Sequence, residues 1–201
     1  MGSSPRWFTE TPDGNSKRYV ERFRHLAASG ADLDGEARLI DAMLDRHSRV
    51  LDAGCGSGRT AGALAARGHF VIGVDIDETL VAAAREDHPG PMWVVADLAD
   101  FNLPALGFFE PFDIVVSAGN VLSYVEVGTE VQVLERIRAH LAPEGRAVIG
   151  FQTDRYAIAD FDAHAALAGL ELEQRFATWD LRPWHEGADF AVSVLHRLEA
   201  D

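Results

Sequence analysis

The stretch Val50-Leu51-Asp52-Ala53-Gly54-Cys55-Gly56-Ser57-Gly58 joins a short apolar run ending in an acid to three glycines at alternate positions, and helical spacing begins at Arg59. This pattern predicts a buried strand that turns sharply into a helix. Glycines suit such a turn because the backbone must take unusual dihedrals and because a ligand must approach it closely. The opening helix offers unpaired N–H groups to whatever occupies the turn. A phosphate-binding loop would need Lys followed by Ser or Thr at a fixed spacing, and Arg59-Thr60 does not supply it. The dinucleotide fingerprint wants Gly or Ala three residues past its second glycine, where this chain has Arg59. Other reading frames keep a nicotinamide cofactor open as an alternative. Asp52, directly before the glycines, would repel a pyrophosphate and suits a ligand carrying an ammonium group.

Two further strand ends repeat the motif. The run 70–74 reads as a strand closed by Asp75, and 94–96 as the end of another closed by Asp97-Leu98. An acid at the end of the second strand can accept hydrogen bonds from both hydroxyls of a ribose, a feature shared with NAD enzymes. The run VLDAGCGSG resembles motif I of the class I S-adenosylmethionine-dependent methyltransferases, whose cofactor carries an ammonium and a sulfonium and no phosphate. FDIVVSAGNVLSY (112–124) is similar to that family's fourth strand, whose end lies under the reacting methyl. LERIRAHLAPEGRAVIGF (134–151) is similar to the helix–turn–strand passage that follows, an architectural element. The resemblance implies that Asp52 and the turn Ala53, Gly54, Cys55 and Gly56 hold the cofactor's amino-acid end. It assigns the ribose to Asp75 and Ile76, and the adenine to Asp97 and Leu98.

Strands alternating with helices predict a doubly wound α/β fold with right-handed crossovers. Expected helices cover 59–67, 78–87 with Asp77 as N-cap, 129–141 and 157–167, and 112–117 reads as a strand buried on both faces. Pro143-Glu144-Gly145 reads as a turn before a fifth strand over 146–151. Two strand-like runs, 170–180 and 189–198, make an antiparallel hairpin the economical ending. The expected whole is one seven-stranded, mostly parallel sheet with one reversed strand and helices on both faces. The chain divides into an arm and covering helices (1–46), a cofactor-binding core (47–151) and a C-terminal helix with hairpin (152–201), all within one domain.

Before the core, residues 1–13 look loosely held, with Trp7-Phe8 as anchors, and helical spacing runs over 16–28. Asp34 suits the N-cap of a further helix. In the resembling family such leading helices cover the cofactor mouth. Tyr19 would then reach the cofactor carboxylate; alternatively it is an ordinary packing tyrosine. Ligands of open parallel sheets bind beyond the carboxyl ends of the strands, which also brings in Ala118 and Gly119. Asn120 and Tyr124 are candidates for the acceptor's pocket, and Trp184 with His185 for its entrance.

Composition narrows the chemistry. A length of 201 residues, 47% apolar and 25% charged, fits one ordinary globular core. One cysteine excludes an internal disulfide, Lys17 is the sole lysine, and the eight histidines lack metal-ligand spacing. No metal is expected. No apolar run reaches membrane-spanning length and no leader pattern is visible, so a cytoplasmic setting is expected. A formal charge of −14 disfavours nucleic acid and is easier to reconcile with a small or cationic acceptor. The Asn/Asp-Pro-Pro-Tyr/Phe signature of methylation on base amino groups is absent, since Val121-Leu122-Ser123 follows Asn120. The expected function is methyl transfer from S-adenosylmethionine to an O or N nucleophile of a small molecule, with no residue assigned as catalytic. A non-catalytic module that binds the same cofactor is the alternative.

Overall fold

The computed structural model describes residues 4–198. Its strands are β1 Arg49–Ala53, β2 Phe70–Asp75, β3 Met92–Val95, β4 Phe112–Ser117, β5 Leu141–Gln152, β6 Leu170–Phe176 and β7 Phe190–Arg197. They form one sheet in the order β3-β2-β1-β4-β5-β7-β6, with β7 alone reversed. The helices are α1 Arg6–Thr9, α2 Asn15–Ala28, α3 Gly35–Ala42, α4 Arg59–Ala66, α5 Glu78–Asp87, α6 Glu130–His140 and α7 Ile158–Leu167. The order reverses between β1 and β4, the switch point where ligands of such sheets bind.

Alternate residues of each central strand feed two cores. Leu51, Ile72, Val115 and Ile149 pack with Val133, Leu134 and Ile137 of α6 and Phe161 of α7. Val50, Val71, Ile114, Val116 and Val148 face the other way, against Ile40 of α3 and Leu64 of α4. Both faces of β1 are therefore dry, with Val50 and Leu51 fully buried. A strand of this kind holds its register firmly, because a one-residue slip would exchange the two apolar sets.

The residues expected as a turn before the fifth strand behave differently. β5 already begins at Leu141, and Phe112 pairs with Leu141 while Ile114 pairs with Arg146. Residues 142–145 thus bulge out of the ladder, and a side chain on Gly145 would approach the Phe112 carbonyl to 2.7 Å. The chain tightens into a bulge because the strand is already paired on both sides of it. Asp34 does sit at the α3 N-cap, but its carboxylate accepts from Arg67 Nη2 at 3.0 Å and caps nothing. The first hairpin strand is shorter than expected, since β6 stops at Phe176; its connection is tied down by the Phe176–Pro183 bridge and by Ala177 N donating to the Arg182 carbonyl at 2.9 Å.

One buried histidine makes stability pH-dependent. His140 stacks on Phe101 at 4.3 Å. Its Nδ1 lies 2.7 Å from the Arg136 carbonyl and its Nε2 3.2 Å from the Leu103 backbone N. An amide N–H can only donate, so Nε2 accepts, Nδ1 carries the proton and the ring is neutral. Burial lowers its pKa from the ordinary 6.5. The unfolded chain then takes up the proton first, so this contribution is complete above about 6.5 and disappears as pH falls through the lower native value. Denaturant midpoints of wild type and His140→Gln, measured between pH 8 and 5, should converge toward acid. Parallel curves would contradict the neutral assignment.

Candidate active site

Behind β1 the chain turns through Gly54 (φ 84°), Gly56 (φ 54°) and Gly58 (φ 84°) before α4 starts. The Gly54 and Cys55 amides both donate to the Val74 carbonyl at 2.8 and 3.0 Å, fastening the turn to β2. Asp75, the last residue of β2, clamps it from the other side. One carboxylate oxygen accepts from Gly56 N at 2.8 Å and the other from Asp77 N at 2.9 Å. Burial raises the Asp75 pKa above the ordinary carboxylate value, opposed by those backbone donors. Asp97 folds its own loop, accepting from Ala99 N at 2.9 Å.

These strand ends border a cleft of about 360 Å³. Gly54, Gly56, Asp75, Ile76, Asp97 and Leu98 line it. So do Ala118, Gly119, Asn120 and Tyr124 beyond β4, and Tyr19 from α2. Residues dispersed over a hundred positions thus meet at one place. The Tyr19 ring lies over the glycine turn, with its hydroxyl oxygen 3.4 Å from where a Gly56 side chain would begin. Burial pushes the Tyr19 hydroxyl up to about 12, so it stays a neutral donor across ordinary pH.

Four expected site residues stand elsewhere. Asp52 is 2% exposed and its Oδ2 accepts from Ala61 N at 3.1 Å, so its carboxylate serves the N-terminus of α4 behind the cleft. Burial pushes its pKa up to about 7. Ala53 is fully buried in the sheet core. Cys55 turns its thiol toward Gly73, where a side chain would meet Sγ at 3.0 Å, and burial drives the thiol pKa well up. Trp184 packs partly buried against the α6–α7 core with Arg175 over its ring at 5.6 Å. An aromatic in the hairpin connection here covers the core and does not line the cleft.

Residues 50–145 match the methyltransferase-domain family. A TehB-like S-adenosylmethionine-dependent methyltransferase from Corynebacterium glutamicum superposes with a TM-score of 0.86 at 43% identity, over 92% of this chain and 100% of that one. This chain belongs to the class I S-adenosylmethionine-dependent methyltransferases. Curated relatives include trans-aconitate 2-methyltransferase of Delftia acidovorans, 31% identical over 71% of this chain and 50% of that protein. Another is hemagglutinin 1 of Eikenella corrodens, 31% identical over 76% of this chain and 49% of its own length. The chain spans about half the length of both. The cofactor of the family is S-adenosylmethionine, and the donor set fits it: a glycine cradle that side chains would fill, with acids at the ends of β2 and β3 and no phosphate-binding lysine.

Sequence reasoning missed much of this methyltransferase's cleft wall. Pro5, Trp7, Asn15 and Arg22 come from the arm and α2, and Leu80, Val121 and Val125 complete the lining. The arm is held firmly. Trp7 Nε1 donates to Asp77 Oδ2 at 2.7 Å and Ser16 Oγ donates to the same oxygen, while Trp7 N donates to the Tyr124 carbonyl at 3.0 Å. Arg6 adds Val125 O at 3.0 Å and an ion pair with Glu130 at 3.0 Å. Trp7 is the anchor, whereas Phe8 is 52% exposed. Arg59, the residue that argued against a dinucleotide, pairs with Glu36 at 2.7 Å and fastens α3 to α4 outside the cleft. Among the described residues no helix is long and apolar enough to cross a membrane, and no group of three or more His, Cys, Asp or Glu could hold a metal ion.

A charge-assisted bond such as Trp7 to Asp77 is worth about 2 kcal/mol. Trp7→Phe should therefore raise the open population of the arm roughly 30-fold, read as faster protease cleavage ahead of α2. Unchanged cleavage would mean that the Arg6 contacts suffice.

Proposed function

We propose that this protein transfers a methyl group from S-adenosylmethionine to an O or N nucleophile of a small molecule. The observation that carries the reading is the convergence of Gly54, Gly56, Asp75 and Asp97 on one cleft that continues past Asn120 and Tyr124. In this reading Asp75 accepts from the ribose, and Asp97 with Leu98 meets the adenine. The amino-acid end falls to the backbone of Gly54 and Gly56. Tyr19 and Arg22 would bind its carboxylate, and Arg22 makes no ion pair among the described residues. Asp52 contributes at one remove, by fixing the start of α4 under the turn.

The bound cofactor would supply a methyl on a sulfonium: as the acceptor's lone pair bonds the carbon, the C–S pair returns to a neutral thioether and the acceptor's proton passes to solvent. The protein's part is orientation and exclusion of water. Asn120 and Tyr124 would form the acceptor's wall. The name of the trans-aconitate relative, a small-molecule enzyme, supports an acceptor of that size. Calorimetry with S-adenosylhomocysteine and with NAD, followed by assay of S-adenosylhomocysteine release against an acceptor panel, tests the reading. Binding of S-adenosylhomocysteine and turnover are expected. Preference for NAD would overturn the cofactor, and binding without turnover would leave a sensor.

A further inference from the structure

The cleft runs over the ends of β3, β2, β1 and β4, so its far edge faces the end of the next strand, β5. There four polar side chains interlock. Asn120 Nδ2 donates to Gln152 Oε1 at 2.9 Å, and Gln152 N donates to Asn120 Oδ1 at 2.6 Å. Arg155 Nε donates to the same Gln152 Oε1 at 3.0 Å, and its Nη1 to the Tyr124 hydroxyl at 3.1 Å. The guanidinium carbon also stands 5.6 Å from the centre of the Tyr124 ring.

Every partner of the Arg155 side chain among the described residues is neutral. Arg6, Arg24, Arg38, Arg59 and Arg175 each meet a carboxylate. Arg155, like Arg22 and several other arginines, makes no ion pair among the described residues; what sets it apart is its place, bonded to Tyr124 and Gln152 at the end of the cleft. Its Nη2 has no hydrogen-bond partner among the described residues, and Arg155 is exposed. The contacts to Gln152 and Tyr124 use Nε and one hydrogen of Nη1. Nη2 and the second Nη1 hydrogen remain as a planar pair of donors beside the two residues that end the cleft. Such an edge matches a carboxylate in two parallel hydrogen bonds. The net charge of −14 repels anions at long range, so a fixed local cation is what would discriminate for them.

We propose that Arg155 recognises a carboxylate on the methyl acceptor, held by Gln152 and Tyr124 so that its free edge faces the incoming molecule. This deepens the methyltransferase reading and rests on it. Of the small or cationic acceptor that overall charge suggested, it favours a small one that carries a carboxylate, because specificity is set by the nearest groups.

The test uses the full chain loaded with S-adenosylhomocysteine and titrated calorimetrically with benzoate, succinate and citrate. Each is paired with its uncharged amide, and putrescine serves as a dication. Saturable binding of a carboxylate but not of its amide is expected. Arg155→Gln should weaken that carboxylate about 10- to 100-fold, leave S-adenosylhomocysteine affinity unchanged, and be partly rescued by Arg155→Lys. Carboxylates binding no better than amides, a preference for putrescine, or an Arg155→Gln protein that binds carboxylate as wild type does would each overturn the assignment. If S-adenosylhomocysteine itself does not bind, the methyltransferase reading fails separately, and the same titrations on the unloaded protein still decide the role of Arg155.

Discussion

Asp75→Ala should weaken S-adenosylhomocysteine binding by about 3 kcal/mol, roughly 150-fold, in calorimetric titration. The side chain has two duties that fail together. It presents a charged acceptor to the cleft, and it holds Gly56 N at 2.8 Å, which shapes the turn. Asp75→Asn keeps an acceptor oxygen of the same size and loses the charge, so a smaller loss is expected. The pH dependence separates the two. Because burial raises the Asp75 pKa, and the carboxylate form is the one that accepts, wild-type affinity should fall as pH drops through that raised value. The Asn variant should lack this fall. Equal affinity for wild type and Asp75→Ala would remove Asp75 from the site.

Gly54→Ala is the second large effect. Gly54 holds φ 84°, and a side chain there would begin 2.4 and 2.5 Å from the two methyls of Val121. Left-handed backbone costs a non-glycine residue about 1–2 kcal/mol, and overpacking typically 1–3. Together they imply a loss near 3 kcal/mol and a melting temperature lower by roughly 9 °C for a chain of this size. Adding Val121→Ala should restore the packing part and leave the backbone part. Gly54→Ala melting with wild type would mean that the turn relaxes freely and is not a rigid cradle.

What the chain revealed before its structure divides along physical lines. The α/β alternation and the acids Asp75 and Asp97 were legible because a strand–turn–helix passage is local: apolar run, acid and glycine lie within one short window. The side on which Asp52 lies was not legible in the same window. Its neighbours in sequence say that an acid borders the glycines, but which side of the strand it faces depends on alternation, and alternation sends it under α4. Trp184 was placed by its loop, yet an indole in a connection goes wherever apolar surface needs covering. The arm was illegible for the opposite reason. Trp7 is ordered by Asp77 and Tyr124, partners seventy and more residues away, and no local pattern encodes such a meeting. Residues 143–145 read as a turn because Pro-Glu-Gly is turn chemistry, and the sheet takes them up in a bulge.

The double fastening of the arm has a kinetic corollary. The arm is a bar stitched across the cleft at Asp77 and at Tyr124, and Tyr124 also carries Arg155. Cofactor and acceptor would then pass the same bar, and its unlatching, not alkylation, would govern the steady state. Rapid-mixing release of S-adenosylhomocysteine, faster from Trp7→Phe than from wild type, would expose that bottleneck.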